Sequence, residues 1–378
     1  MELTHHPATR LIFAHQLRGV AALLIVITHF FGNYFGGQAG LAMLTFSPDL
    51  HMTAAPWVSW FDFPYFKGPF GVAVFFLISG FVIPFSLEKA TPLRFLLMRV
   101  FRIYPTYLAA FALSMLAMAA SARYWQVPFT HGAAELISNA LLVNNLVGIG
   151  SVDPINWTLS IEIKFYLTAA LLGSWLFRRQ FVYLALWVAL LVAGTALLAR
   201  LSAPPALLMA LAAEWHYLIF MLVGVTFYQH ISKMISTPAL LGRSLLLMAA
   251  FGLNWRLGAQ RDAFPVIGIY YAYAYLVFGL CYLGRGWFRP VRVLDFFADI
   301  SFPLYVVHSL SGFAALKLLM HAGMPFGAAV LLVLVLVIAV ATLLHRFVEL
   351  PTNALGKRLA GQRSAAPRCA GGAAQRSS

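Results

Sequence analysis

Apolar runs of about twenty residues recur along most of the chain, separated by short breaks that carry nearly all the charge. The runs fall near 12–36, 69–88, 92–120, 157–177, 181–200, 206–230, 239–256, 264–283, 300–320 and 327–347. Each approaches the ~20 residues that cross a bilayer as a helix. In lipid the backbone must satisfy its own hydrogen bonds, so these runs are read as helices. A further run at 133–149 contains Glu135, Asn139, Asn144 and Asn145 and is a poor spanning helix. The pattern predicts an all-α, polytopic transmembrane bundle of about ten spans over residues 12–352. A cytoplasmic N-terminal segment (1–11) precedes it. A basic tail (353–378) follows, and its small polar residues from Lys357 onward are expected to be disordered.

Composition supports the membrane reading. Of the 378 residues 61% are hydrophobic and only 10% charged, against about 25% charged in soluble domains. The net charge of +14 is explained by the positive-inside bias and attraction to anionic membrane lipid, so no nucleic-acid partner is expected. The two cysteines, Cys281 and Cys369, indicate no disulfide framework. Arg18 interrupts the first apolar run and no cleavage site follows, so no cleavable signal peptide is evident.

Charge also decides topology. If 133–149 does not cross and the N-terminus is cytoplasmic, 18 Lys and Arg lie inside and 5 outside; if it crosses, 8 lie inside and 15 outside. The first arrangement obeys the positive-inside rule, so both ends are expected in the cytoplasm, with 133–149 re-entrant or interfacial. Two long external stretches remain, 37–68 and 121–156. Their Trp57, Trp60, Tyr65, Trp125 and His131 serve as interface anchors or as the mouth of a site.

Motifs exclude more than they select. P-loop, GxGxxG, CxxC and HExxH patterns are missing from the sequence, so no metal is expected. Ionisable residues inside spans remain, and these are costly in lipid. Arg18 and His29 are 11 residues apart, three helical turns plus roughly 20°, so they share a face about 16 Å apart. An always-charged Arg suits an anion or carbonyl, and a His takes a hydroxyl proton near neutral pH. The alternative, less favoured for the pair, is an Arg bonded to helix ends and a His bonded to a neighbouring carbonyl. Thr91-Pro92 opens the third span. Arg99 and Arg102 follow on one face, fit to clamp phosphates or simply to set topology. Glu162, two turns into the fourth span, is expected at the depth of His29, where it would orient an imidazolium; Lys164 is its competing partner. Gly71 to Phe81 mixes small residues with Phe for close helix packing, Ser79 included. His308 is either a core or a site histidine, and Glu349 is expected to pair with a basic residue such as Arg346.

Six of these segments, in this order, resemble the acyltransferase-3 family of integral membrane acyltransferases. They are Leu17-Arg18-Gly19-Val20-Ala21-Ala22 with His29, Phe75 to Phe81, Arg99-x2-Arg102-Ile103-Tyr104-Pro105, Trp157 to Glu162 with Phe165-Tyr166-Leu167, Leu304-Tyr305-x2-His308, and Glu349-x-Pro351. The resemblance spans roughly 12–352. It implies transfer of an acetyl or short acyl group from acyl-CoA to a hydroxyl of a carbohydrate or glycolipid. By the same resemblance Arg18 and His29 are essential, with Glu162 beside them. Arg99 and Arg102, with Arg18 and Tyr104, serve the acyl-CoA side, and Trp157, Ser160 and His308 are further candidates. The sequence departs from the family pattern at His15, where an Asp often stands, and at Ile163-Lys164, where an acidic residue and Gln are common. No hydrolase-like domain follows the bundle, which implies that the membrane domain completes the transfer or passes the acyl group to a partner protein. The expected location is the cell membrane, the inner one in a Gram-negative cell. The rival classes are a secondary transporter or flippase, marked by internal repeats that are not detected, and a membrane scaffold.

Overall fold

The computed structural model describes residues 11–64, 67–177, 180–202 and 204–361. Arg10, Tyr65, Arg178, Arg179, Arg363, Arg368, Cys369 and Arg376 lie outside the described residues. Among the described residues every regular element is helical: α1 (Ile12–Gly36), α2 (Gln38–Leu44), α3 (Gly68–Leu87), α4 (Pro92–Trp125), α5 (Ala133–Ala140), α6 (Asn156–Leu176), α7 (Phe181–Leu198), α8 (Ala206–Ile231), α9 (Thr237–Leu257), α10 (Arg261–Leu283), α11 (Arg292–Asp299), α12 (Ser301–Val307), α13 (Ser309–His321) and α14 (Phe326–Leu359).

Seven of these helices are long and apolar enough to cross a membrane, and eight if α12 and α13 count as one broken span. That is fewer than the ten expected. The remaining two expected spans, α6 and α9, form as 21-residue helices, but Glu162 and Lys164 dilute the first and Arg243 and Arg256 the second.

The centre of the bundle is α3, which packs on α1, α8 and α10. Its small residues set the spacing. A Cβ added to Gly80 would lie 1.8 Å from the Met221 carbonyl oxygen, and one on Gly224 would lie 2.2 Å from that of Leu77. The α3 and α8 backbones therefore touch, as small residues allow in helices that lack a hydrophobic driving force in lipid.

Three local features have physical causes, the first as the sequence reading expects and the other two departures from it. The run 133–149 does not span; it forms α5 and a single 3-10 turn. Asn139 binds it in place. Its side-chain amide donates to Glu135 and Gly150, and its oxygen accepts from the Val152 N–H and the Asn156 amide. Tyr107, midway along the 34-residue α4, donates to the Asn139 carbonyl at 2.7 Å. The expected ninth span is broken at His308, where α12 and α13 meet at 57°. There the imidazole inserts into the helical ladder, a recognised cause of sharp kinks. The tail expected to be disordered from Lys357 stays helical to Leu359, because Gly356 lets α14 pack directly on Phe101 of α4.

Candidate active site

Two cavities open at different heights along α1. The first is lined by Arg18, Ser79, Arg99, Arg102, Thr158, Glu162, Tyr166 and Tyr305, with apolar residues between them, and measures 120 Å³. The second, of 400 Å³, lies further along α1 and is lined by His29, Asn33, Gly36, Gly40, Pro154 and Phe313 among others.

The arginines reach the first cavity by helix placement. A Cβ on Gly19 would stand 2.6 Å from the Ala298 nitrogen, so α11 lies directly against α1. This contact brings the Ala298 carbonyl to Arg18, whose Nη2 donates to it at 2.9 Å. Arg99 lies between the rings of Phe95 and Tyr166, 5.1 and 5.4 Å from their centroids, and donates to Ser86 Oγ at 2.5 Å. The Nε atoms of Arg18 and Arg99 are buried and find no acceptor among the described residues. An unpaired buried donor of this kind costs about 1–3 kcal/mol, and here two of them lie on groups that line one cavity. Among the residues lining this cavity, Glu162 is the carboxylate beside the three guanidinium groups.

Glu162 is not beside His29. It accepts from Ser79 Oγ at 3.1 Å and from the Tyr166 hydroxyl. Asn156, the first residue of α6, is buried and bonded to Asn139, so α6 begins beneath the preceding loop rather than at an exposed end, and a turn count from that end does not fix which helix Glu162 meets. Lys164 pairs with Glu214 rather than Glu162 and also donates to Ser160. The helix thus has two polar faces: Thr158, Glu162 and Tyr166 toward the cavity, Ser160 and Lys164 toward Glu214. Trp157 packs on Phe76 and Tyr217. Neither Trp157 nor Ser160 lines the arginine cavity. Tyr104 is also turned away from it and donates to the Leu141 carbonyl at 3.0 Å, so it secures the 133–149 segment. Glu349 bonds His345 at 2.7 Å, not Arg346. A π turn from His345 to Glu349 places those two side chains together.

His29 finds its partner in His308, at 2.9 Å from Nδ1 to Nε2. The hydrogen-bond chain fixes both tautomers. His308 Nδ1 faces the carbonyls of Leu304 and Tyr305 at 3.1 and 2.9 Å. Carbonyls only accept, so Nδ1 carries the proton and Nε2 holds a lone pair. His29 Nδ1 therefore donates to it, which leaves the lone pair of His29 on Nε2. His29 begins the second residue of a π turn, Thr28–Asn33, a distortion frequent at functional sites. Arg18 and His29 meet the same stretch of chain, Ala298 and His308, as their common face predicts.

Thr158 and Tyr305 lie in the quoted motif segments and line the first cavity, but neither carries a role in the sequence reading. Tyr305 and Thr158 hydroxyls are 2.7 Å apart. Asp153, in the loop before α6, is buried, and its Oδ1 accepts the Ile155 N–H at 3.2 Å. Burial pushes its carboxyl up to about 7. No group of three or more metal-ligating side chains is present among the described residues.

The helical bundle therefore holds an arginine-lined cavity and, further along α1, a hydrogen-bonded histidine pair. The acyltransferase-3 family model, described as an acyltransferase domain, matches residues 11–346. The chain belongs to this family, and its long apolar helices are those of a multi-pass membrane protein. It is 28% identical over 158 residues to Nodulation protein 10 of Rhizobium leguminosarum bv. viciae. The match covers 36% of this chain and 41% of that protein, so the chain spans less than half of that relative's length. No solved structure matches the chain.

Proposed function

We propose that this acyltransferase takes an acetyl or other short acyl group from cytoplasmic acyl-CoA and passes it to a hydroxyl of a carbohydrate or glycolipid on the opposite side of the membrane. The observation that supports this reading most is the division of labour along α1: arginines with unpaired donors around one cavity, and a histidine base at the next. With both termini cytoplasmic, the arginine cavity faces the donor side. Its small volume fits the acyl-pantetheine tip, and the unpaired Nε donors of Arg18 and Arg99 suit the tip's carbonyls. Arg99 and Arg102 also have the charge to meet phosphate groups.

In this mechanism His29 Nε2 takes the proton of the attacking hydroxyl as its oxygen bonds to the thioester carbon. His308 holds His29 in the reactive tautomer, in the way a buried partner orients a catalytic imidazole. Collapse of the tetrahedral species breaks the C–S bond, and His29 returns the proton to the thiolate. Glu162 does not touch His29; it balances the arginine charge and fixes Tyr166. Membrane lipids surround the bundle, and the acyl group passes either to the acceptor directly or to a partner protein that receives it. The test is purified protein in sealed vesicles with radiolabelled acetyl-CoA outside and a glycolipid acceptor inside. Label appearing as an ester on the inner acceptor is the expected result, in the vesicle fraction whose C-terminus faces outward. Label that crosses as intact acetyl-CoA or free acetate would refute the reading in favour of transport.

A further inference from the structure

Tyr305 is not assigned by the family resemblance to any step, yet it stands where the chemistry of the proposed reaction needs a donor. Its side chain is only 6% exposed and lines the arginine cavity. It lies three residues before His308, and its own carbonyl accepts the His308 Nδ1 proton at 2.9 Å. The residue therefore joins the two halves of the site in one turn of helix: ring and hydroxyl at the donor cavity, backbone at the histidine pair.

The direction of its hydrogen bond can be derived. Thr158 Oγ1 lies 2.9 Å from the Ile155 carbonyl, which only accepts, so the Thr158 proton is committed there. The 2.7 Å contact between the Thr158 and Tyr305 hydroxyls is then a donation from Tyr305. The Tyr305 proton thus rests on a neutral hydroxyl oxygen, a modest acceptor. The edge of the Phe75 ring, 5.6 Å away, holds the phenol ring in place. An anionic oxygen arriving in the cavity would draw the same proton into a shorter and stronger bond.

We propose that Tyr305 is a catalytic residue: its hydroxyl donates to the oxyanion that forms when the thioester carbonyl is attacked. The inference rests on the acyl-transfer reading above. The attacking hydroxyl oxygen bonds to the carbonyl carbon, and its proton moves to His29 Nε2. The π pair of the carbonyl goes to oxygen, where the Tyr305 O–H meets it. When the pair returns, the C–S bond breaks and the proton on His29 passes to sulfur. Because the ground-state carbonyl is the weaker acceptor, the benefit falls in the transition state and appears in kcat.

The experiment measures thiol release from acetyl-CoA by full-length protein in detergent, with water as the acceptor, for wild type, Tyr305→Phe, Thr158→Val and His29→Ala. Loss of one oxyanion donor costs about 10²- to 10³-fold in kcat, so Tyr305→Phe is expected to lose that much while KM for acetyl-CoA stays within about threefold. Thr158→Val removes the resting acceptor but leaves the Tyr305 proton, and is expected to keep kcat within about tenfold. A Thr158→Val loss equal to that of Tyr305→Phe would make the hydroxyl pair structural and overturn the proposal. Thiol release that rises in Tyr305→Phe would make Tyr305 a barrier to water and overturn it as well. Unchanged kcat in Tyr305→Phe with turnover lost in His29→Ala overturns this inference alone; unchanged kcat in both removes the acyl-transfer reading too.

Discussion

Replacing His308 by Phe isolates the one contact that gives His29 its reactive form. Phe keeps the ring volume against Phe30, whose ring centroid is 6.2 Å from that of His308. It removes the Nε2 lone pair that accepts from His29 Nδ1 at 2.9 Å. The His29 Nδ1 donor then loses that acceptor, at about 1–3 kcal/mol if it stays unmade. Either His29 retains Nδ1–H and carries that cost, or it moves the proton to Nε2 and ceases to be a base toward the acceptor. At about 1.4 kcal/mol per tenfold, the expected loss in kcat is about 5- to 150-fold. Binding of acyl-CoA, on the far side of Tyr305, should change by less than about threefold. The assay is initial-rate kinetics with varied acetyl-CoA, beside direct titration of donor binding and a melting curve in detergent. A kcat within twofold of wild type in a folded His308→Phe protein would show that His29 needs no orienting partner, and the tautomer argument would be wrong.

Other perturbations follow from the same geometry. Arg99→Ala and Arg102→Ala should each raise KM for acyl-CoA by about 10- to 150-fold, the cost of one charge-assisted contact of about 1.5–3 kcal/mol; unchanged donor affinity in both would take them out of the donor site. Asp153 gives a pH signature. Its folded-state carboxyl is raised to about 7 by burial, so between about pH 4 and 7 the folded protein holds more protons than the unfolded chain, and stability falls as pH rises through that window. Asp153→Asn should flatten the melting temperature between pH 5 and 8, and an unchanged slope would show that the carboxyl ionises freely.

The sequence carried the helices and the key ionisable residues because lipid enforces both. Runs of twenty apolar residues have no other stable form, and an Arg or His inside one is too costly to be incidental. Spacing along α1 placed Arg18 and His29 on one face correctly because it needs only the helical repeat. The partners were not legible, since they depend on depth and on side-chain direction across helices. Counting turns from a helix end pairs Glu162 with His29, but α6 starts buried at Asn156 beneath the 141–155 loop and Glu162 meets Ser79 and Tyr166. His308 could not be matched to His29, 279 positions away, without the kink that turns α12 into α13. Tyr305 and Thr158 look like ordinary span residues until their hydroxyls are seen to meet.

The role of His29 is the claim on which the account turns. His29→Ala, purified as folded protein, should lose nearly all transfer from acetyl-CoA to a glycolipid hydroxyl while binding acetyl-CoA within about threefold of wild type, because the loss falls in the transition state. Near-wild-type transfer by that variant would contradict the account and leave proton removal to His308 or to the substrate.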